Sequence, residues 1–515
     1  MKRSSGVLMH ITSLPGKYGI GTLGEQARRF ADFCHDAGLA WWQILPIGPT
    51  GYGESPYQSD SVFAGNPNLI DLEALISQGL LTEKECDRYE WTDRDEDGKE
   101  ILDKVSFVKV KKARNALLHQ AYERAKKSSL AKEIQKFYVE NKKWLKDYSL
   151  FLAIKEMQGG KAWNQWEKDF RDRDEKTLRN FQAEHRDEME YHQFIQYLFY
   201  TQWAEFKSYC NRKGVKLIGD IPIYVAPDSC DVWANRTLFD CDAAGKLNRV
   251  AGCPPDYFSK TGQLWGNPLY DWKAMEACDF RWWIHRIKVM SQLFDLTRID
   301  HFRGFAGYYA IPAGEPTAEF GTWLKGPGEK LFQALKKEIP HLALIAEDLG
   351  VITPDVEKLR DDFGFPGMKI LQFAFSPTEE SSYLPYNCPK RSVIYTGTHD
   401  NDTSRGWAFG ISKEEWKMVK GYLGISDRRN AARAMIRAAW ESPSELAIAP
   451  MQDFLQLPTE ARMNTPSTVG NNWNWRMLPN AVDDKLIQWI RELNRSTWRI
   501  PVYQKTVKAK LLKKQ

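Results

Sequence analysis

From Val215 onward the chain keeps one rhythm: short apolar runs end in polar or acidic residues, and helical stretches separate them. The runs are residues 216–220, 296–300, 342–347, 368–373, 392–396 and 446–451, and two earlier ones, 6–11 and 41–46, make eight. Continuously apolar strands alternating with helices describe a parallel sheet buried on both faces. Eight such units predict the α/β class and a (β/α)8 TIM barrel. In that architecture the C-terminal strand ends face the active site. The rule picks out Asp220, Asp300, Glu347 and, just past the seventh run, Asp400.

The rhythm is interrupted twice. After Gly51-Tyr-Gly-Glu-Ser-Pro-Tyr-Gln58, residues 73 to 205 are rich in Lys, Glu and aromatics and helical in period, with helices expected over 107–124, 130–158 and 191–212. This predicts a large helical insertion after strand 2. The second interruption, 226–280, carries the Pro-, Gly- and aromatic-rich segments 252–258 and 262–268 and predicts a lid-forming excursion after strand 3. The expected division is therefore 1–60 (strands 1 and 2), 61–205 (insertion) and 206–515 (the rest of the barrel with its lid).

Two motifs mislead. Gly19-Ile-Gly-Thr-Leu-Gly24 matches a dinucleotide fingerprint, but residues intervene between strand and glycines, and the next strand ends in Pro-Ile-Gly-Pro instead of an acid. It reads as a glycine-rich connection. Asp93-Arg-Asp-Glu-Asp-Gly98 opens like a calcium loop, yet its twelfth position is Lys104, which repels a cation. It reads as a solvated acidic turn.

Composition narrows the partners. A net charge of +5 over 515 residues is too small for a dedicated nucleic-acid surface. No apolar run reaches the ~18 residues of a membrane span. The N-terminus does not read as a signal peptide, because its short apolar stretch is broken by His10. Eight cysteines without a Cys-x-x-Cys pair point to reduced thiols in the cytoplasm and no zinc site. The basic tail, 500–515, is expected to end at the surface, and the 20 tryptophans suit sugar rings or a core equally.

The chemistry centres on Arg298-Ile-Asp-His-Phe-Arg-Gly-Phe305. Positive charge from Arg298 and Arg303 favours an ionised Asp300, which then serves as a nucleophile or as half of a structural ion pair. Paired acids at barrel strand ends suit glycosidic bond cleavage, in which one carboxyl protonates the leaving oxygen and another attacks the anomeric carbon or activates water. Glu347 lies in apolar Leu-Ile-Ala-Glu, a setting that raises its pKa and keeps it protonated. Asp400 has small neighbours that leave room for a sugar. No metal or other cofactor is required.

Seven segments together resemble the 4-α-glucanotransferases (amylomaltase or disproportionating enzyme), glycoside hydrolase family 77, related to the α-amylases. They are His10-Ile-Thr-Ser-Leu-Pro-Gly16, Ser55-Pro-Tyr57, Gly219-Asp-Ile-Pro-Ile-Tyr-Val225, Arg298-Ile-Asp-His-Phe-Arg303, Ile345-Ala-Glu-Asp-Leu-Gly350, His399-Asp-Asn401 and Asn472-Trp-Asn-Trp-Arg476. The resemblance implies Asp300 as nucleophile, Glu347 as acid/base and Asp400 as transition-state stabiliser. It also implies Arg298 and His399 as partners of substrate or nucleophile, Tyr57 and Asp220 near the donor subsites, and a lid carrying Tyr257, Phe258 and Trp265. The implied reaction is a retaining double displacement between α-1,4-glucan donor and acceptor. An α-glucan hydrolase on the same barrel is the alternative, since it shares the chemistry and differs only in the acceptor. A catalytically silent glycan-binding protein is a remote one. Oligomeric state and preferred glucan length are not legible.

Overall fold

The structure, a computed structural model, describes residues 2–255 and 259–500. Eight strands close into a barrel: β1 (Ser4–Leu8), β2 (Trp41–Gln43), β3 (Lys216–Ile221), β4 (Leu296–Ile299), β5 (Leu344–Ala346), β6 (Gly367–Ile370), β7 (Ser392–Tyr395) and β8 (Leu446–Pro450). All neighbours are parallel, and β8 closes on β1 through Ser4–Leu8 against Leu446–Pro450. Nearly every strand residue is buried, which explains apolar runs without alternation.

Several strands stop short of the apolar runs. β1 ends at Leu8 and a 3-10 turn follows at Ile11–Ser13; β6 ends at Ile370 and turns through Leu371–Phe373. Apolarity reports burial, and a buried turn at the barrel mouth looks like strand in a sequence.

Helix α1 (Glu25–Ala37) follows the glycine-rich connection and buries Ala27, Phe30, Ala31, Phe33, Cys34 and Ala37. The glycines permit close backbone packing: a Cβ on Gly21 would stand 1.9 Å from the Ile11 carbonyl oxygen, and one on Gly24 would stand 2.4 Å from Asp71 Oδ1. In the acidic turn, Asp95 Oδ1 accepts from the N–H groups of Asp97 and Lys99.

Between β2 and β3 run three long helices, α2 (Phe107–Ala125), α3 (Leu130–Met157) and α4 (Arg186–Arg212), with shorter ones between them. None of the described helices is long and apolar enough to cross a membrane. Their buried contacts set the loop after β2, which carries Tyr57. Gln196 exchanges hydrogen bonds with both backbone groups of Gly65, and Gln202 does the same with Asp71. Lys155 Nζ lies 3.4 Å from Asp60 and 2.8 Å from Asp228, tying α3 to the loops after β2 and β3.

The excursion after β3 is half of a larger unit. Strands Arg249–Cys253 and Gln263–Pro268 join Gly307–Pro312 and Thr322–Lys325, which follow β4, in one four-stranded antiparallel sheet. The sequence reading missed the latter pair. Many tryptophans belong to the core: Trp42, Trp163, Trp203, Trp233, Trp283 and Trp440 are fully buried.

Candidate active site

The parallel register sets Asp220 of β3 beside Arg298 of β4. Arg298 Nη1 donates to both Asp220 oxygens, at 2.8 and 2.7 Å, and Nη2 donates to Asp300 Oδ1 at 2.8 Å. Neither the guanidinium (4% exposed) nor the Asp220 carboxylate (0%) meets water, whereas Asp300, one residue past β4, is 33% exposed. One planar fork thus joins two carboxylates, a geometry that an ammonium cannot reproduce. Burial pushes the Asp220 carboxyl up, and Arg298 opposes it. Tyr57 donates its hydroxyl to Asp220 Oδ2 at 2.8 Å.

The chain turns sharply after Asp300. His301 has a φ of 52°, in the left-handed region, and leads into the 3-10 turn Phe302–Phe305. The His301 N–H donates to Glu347 Oε2 at 2.6 Å, and the Leu349 N–H donates to Oε1 at 2.9 Å. These bonds fix the Glu347 carboxyl one residue past β5. Burial first, and then the charge of Asp300, push it up to about 8, against the pull of Arg298 and the two N–H groups. A carboxyl with that pKa is mostly protonated at neutral pH and able to donate a proton.

Asp400 lies in the loop after β7. Its Oδ1 accepts from Asn464 Nδ2 at 2.7 Å, and its carbonyl accepts from Arg462 Nη2 at 2.6 Å. The turn is pinned by Asn401 Oδ1, which accepts from the N–H and hydroxyl of Thr398. His399 Nε2 is 3.5 Å from Asp400 Oδ1, and its ring stacks on Tyr57 with centroids 5.1 Å apart and planes 18° apart. A continuous line of contacts therefore runs from Asp300 through Arg298, Asp220, Tyr57 and His399 to Asp400. On the other side, Trp265 meets His301 edge-on, with ring centroids 4.7 Å apart. Tyr257 and Phe258 lie outside the described residues.

One expectation is corrected. Arg303 does not pair with Asp300: its guanidinium donates to the Val351 carbonyl and lies 4.0 Å from the Trp323 ring centroid. The 3-10 turn that begins at His301 carries Arg303 away from Asp300, leaving Arg298 as its cationic partner. The sequence reading also gave no role to Arg462, Asn464 or Trp473. Trp473 approaches both Tyr57 and His399 at 5.8 Å. It lies in the Asn472–Arg476 segment, which marked the resemblance without showing where it folds back.

Arg298→Leu leaves a buried carboxylate without its cation, and the expected loss of unfolding free energy is about 3–5 kcal/mol, read by urea titration. Adding Asp220→Asn should recover part of that loss. Equal stability of Arg298→Leu and the unsubstituted chain would show that the fork does not hold the strand ends.

Comparison with known proteins identifies the family. The profile of glycoside hydrolase family 77, described as 4-alpha-glucanotransferase, matches residues 9–481. A 4-alpha-glucanotransferase of Streptococcus pneumoniae is 47% identical over 492 residues, spanning 94% of this chain and 96% of that protein. One of Thermus thermophilus is 44% identical over 510 residues, spanning 97% of this chain and 100% of its own length. The solved amylomaltase from Streptococcus agalactiae in complex with acarbose has a TM-score of 0.93 at 38% identity, covering 97% of this chain and 100% of that one. With its eight-stranded parallel barrel and a near-complete match in sequence, the chain belongs to the 4-alpha-glucanotransferases of glycoside hydrolase family 77.

Proposed function

We propose that the chain's 4-α-glucanotransferase activity, the passage of α-1,4-glucan segments from a donor maltodextrin to the 4-hydroxyl of an acceptor, is carried by Asp300, Glu347 and Asp400. The observation that supports this most is the contrast between two neighbouring acids. Asp300 is in an ion pair with Arg298, while burial and Asp300 itself push Glu347 up to about 8. An ion-paired acid beside one that keeps its proton suits the two roles that glycosyl transfer requires.

In the first step an Asp300 oxygen attacks the anomeric carbon as Glu347 gives its proton to the departing glycosidic oxygen. The C1–O4 bond breaks and a C1–O ester to Asp300 forms, with inversion. Esterification removes the negative charge of Asp300, the second cause of the raised Glu347 pKa, so the Glu347 proton affinity falls just when a base is needed. In the second step Glu347 takes the proton of the acceptor 4-hydroxyl, whose oxygen attacks C1 and releases Asp300, giving net retention. Arg298 steadies that carboxylate both as nucleophile and as leaving group. Asp400, oriented by Asn464 and Arg462, hydrogen-bonds sugar hydroxyls most strongly as the oxocarbenium-like transition state forms. Trp265, against His301, supports a lid that keeps water from the ester.

Incubation with maltotriose tests the reading. A ladder of longer maltodextrins with glucose is expected; glucose and maltose without a ladder would assign hydrolysis instead. Asp300→Asn should lower the rate by about a thousandfold or more, and wild-type turnover in that variant would remove Asp300 as nucleophile.

The pH profile tests Glu347. The first step needs its protonated form, so kcat/KM should fall as pH rises through about 8, by about tenfold for each further pH unit. Glu347→Gln should abolish that limb together with most of the rate. A flat profile from pH 6 to 10 would contradict the role.

A further inference from the structure

The segment between β6 and β7 and the helices after β7 expose aromatic rings for which the transfer has no use. Tyr386, in the 3-10 turn Pro385–Asn387, is 58% exposed, and Tyr422, in the helix Lys413–Leu423, is 41% exposed. Their ring centroids are 6.4 Å apart, and the planes are inclined by 35°. Both rings are held in place. The Tyr386 hydroxyl donates to Glu380 Oε1 at 3.1 Å, and the same oxygen accepts from Asn387 Nδ2 at 2.9 Å. Phe375 meets Tyr422 edge-on at 5.7 Å. Two exposed rings this close, each fixed by a neighbour, offer a ready-made apolar surface.

We propose that Tyr386 and Tyr422 form a second platform for α-glucan chains, outside the catalytic cleft. The inference rests on the glucan-transfer reading for the ligand's class. A glucose ring presents an apolar C–H face that packs on an aromatic ring, and a polar rim that hydrogen-bonds amides and carboxylates. The two tyrosines supply the first surface, and Glu380 with Asn387 the second. Successive glucoses of an α-1,4 chain are turned relative to each other, so inclined ring planes follow the chain better than a flat face would.

The ligand's length sets what the platform can do. A long amylose chain can occupy the cleft and the platform at once, which raises its residence by effective concentration, whereas a trisaccharide gains nothing.

The test compares Tyr386→Ala/Tyr422→Ala and Tyr386→Phe with the unsubstituted enzyme. The double variant should disproportionate maltotriose at the unsubstituted rate while its KM for amylose rises about tenfold with kcat little changed. It should also lose retardation in native gels containing amylopectin. Tyr386→Phe keeps the ring and should retain both properties. Unchanged amylose KM and gel mobility in the double variant would overturn the proposal. So would a KM for maltotriose that rises in step with that for amylose, or a change of oligomeric state with glucan binding intact. If the unsubstituted enzyme made no ladder from maltotriose, the transfer reading would fail, and gel retardation alone would decide the platform.

Discussion

The site depends on one buried guanidinium. Arg298 spans Asp220 and Asp300 with a single rigid fork, and no other described cation reaches either carboxylate. Taking the Arg298 and Asp220 charges out of water is costly unless each is paired and hydrogen-bonded. Here the β3–β4 register supplies the pairing, and Tyr57 supplies the remaining bond to Asp220. Because Tyr57 stacks on His399, which adjoins Asp400, one electrostatic contact orders residues from strands three, four and seven. The barrel therefore acts as a jig: short strands fix the backbone, and the fork fixes the acids.

In the proposed cycle, the same arrangement lets one carboxyl serve as acid and then as base. Glu347 is raised by burial, which persists through the reaction, and by Asp300, whose charge disappears on glycosylation. The proposed cycle thus carries its own pKa switch, and no conformational change is required to reverse the proton's direction. His301, in the left-handed region, follows Asp300 directly and donates its N–H to Glu347, so the turn after β4 sets how the two acids face each other.

Much of this was legible before the structure. Barrel strands buried on both faces leave apolar runs, and acids at their ends stand out against them. Strand ends were less legible, as at Leu371–Phe373, because a buried turn and a buried strand are equally apolar. The strand Gly307–Pro312 escaped notice because its partner Arg249–Cys253 belongs to an excursion that precedes β4 in the chain, and Thr322–Lys325 pairs with Gly307–Pro312 alone. Arg303 was misplaced because nearness in sequence does not fix direction after a left-handed residue. Asn464 reaches Asp400 from 64 residues away, and its local sequence carries no sign of that contact.

The central claim is that Asp300 becomes a covalent glycosyl ester while Glu347 handles the proton. Glu347→Gln incubated with an α-maltotriosyl fluoride donor, whose leaving group needs no acid, isolates the first step. After acid quench and digestion, mass spectrometry of the peptides should find a maltotriosyl adduct on the peptide containing Asp300, lost when Asp300→Asn is added. An adduct on Asp400 or Asp220 instead, or no adduct while fluoride is released, would contradict the account.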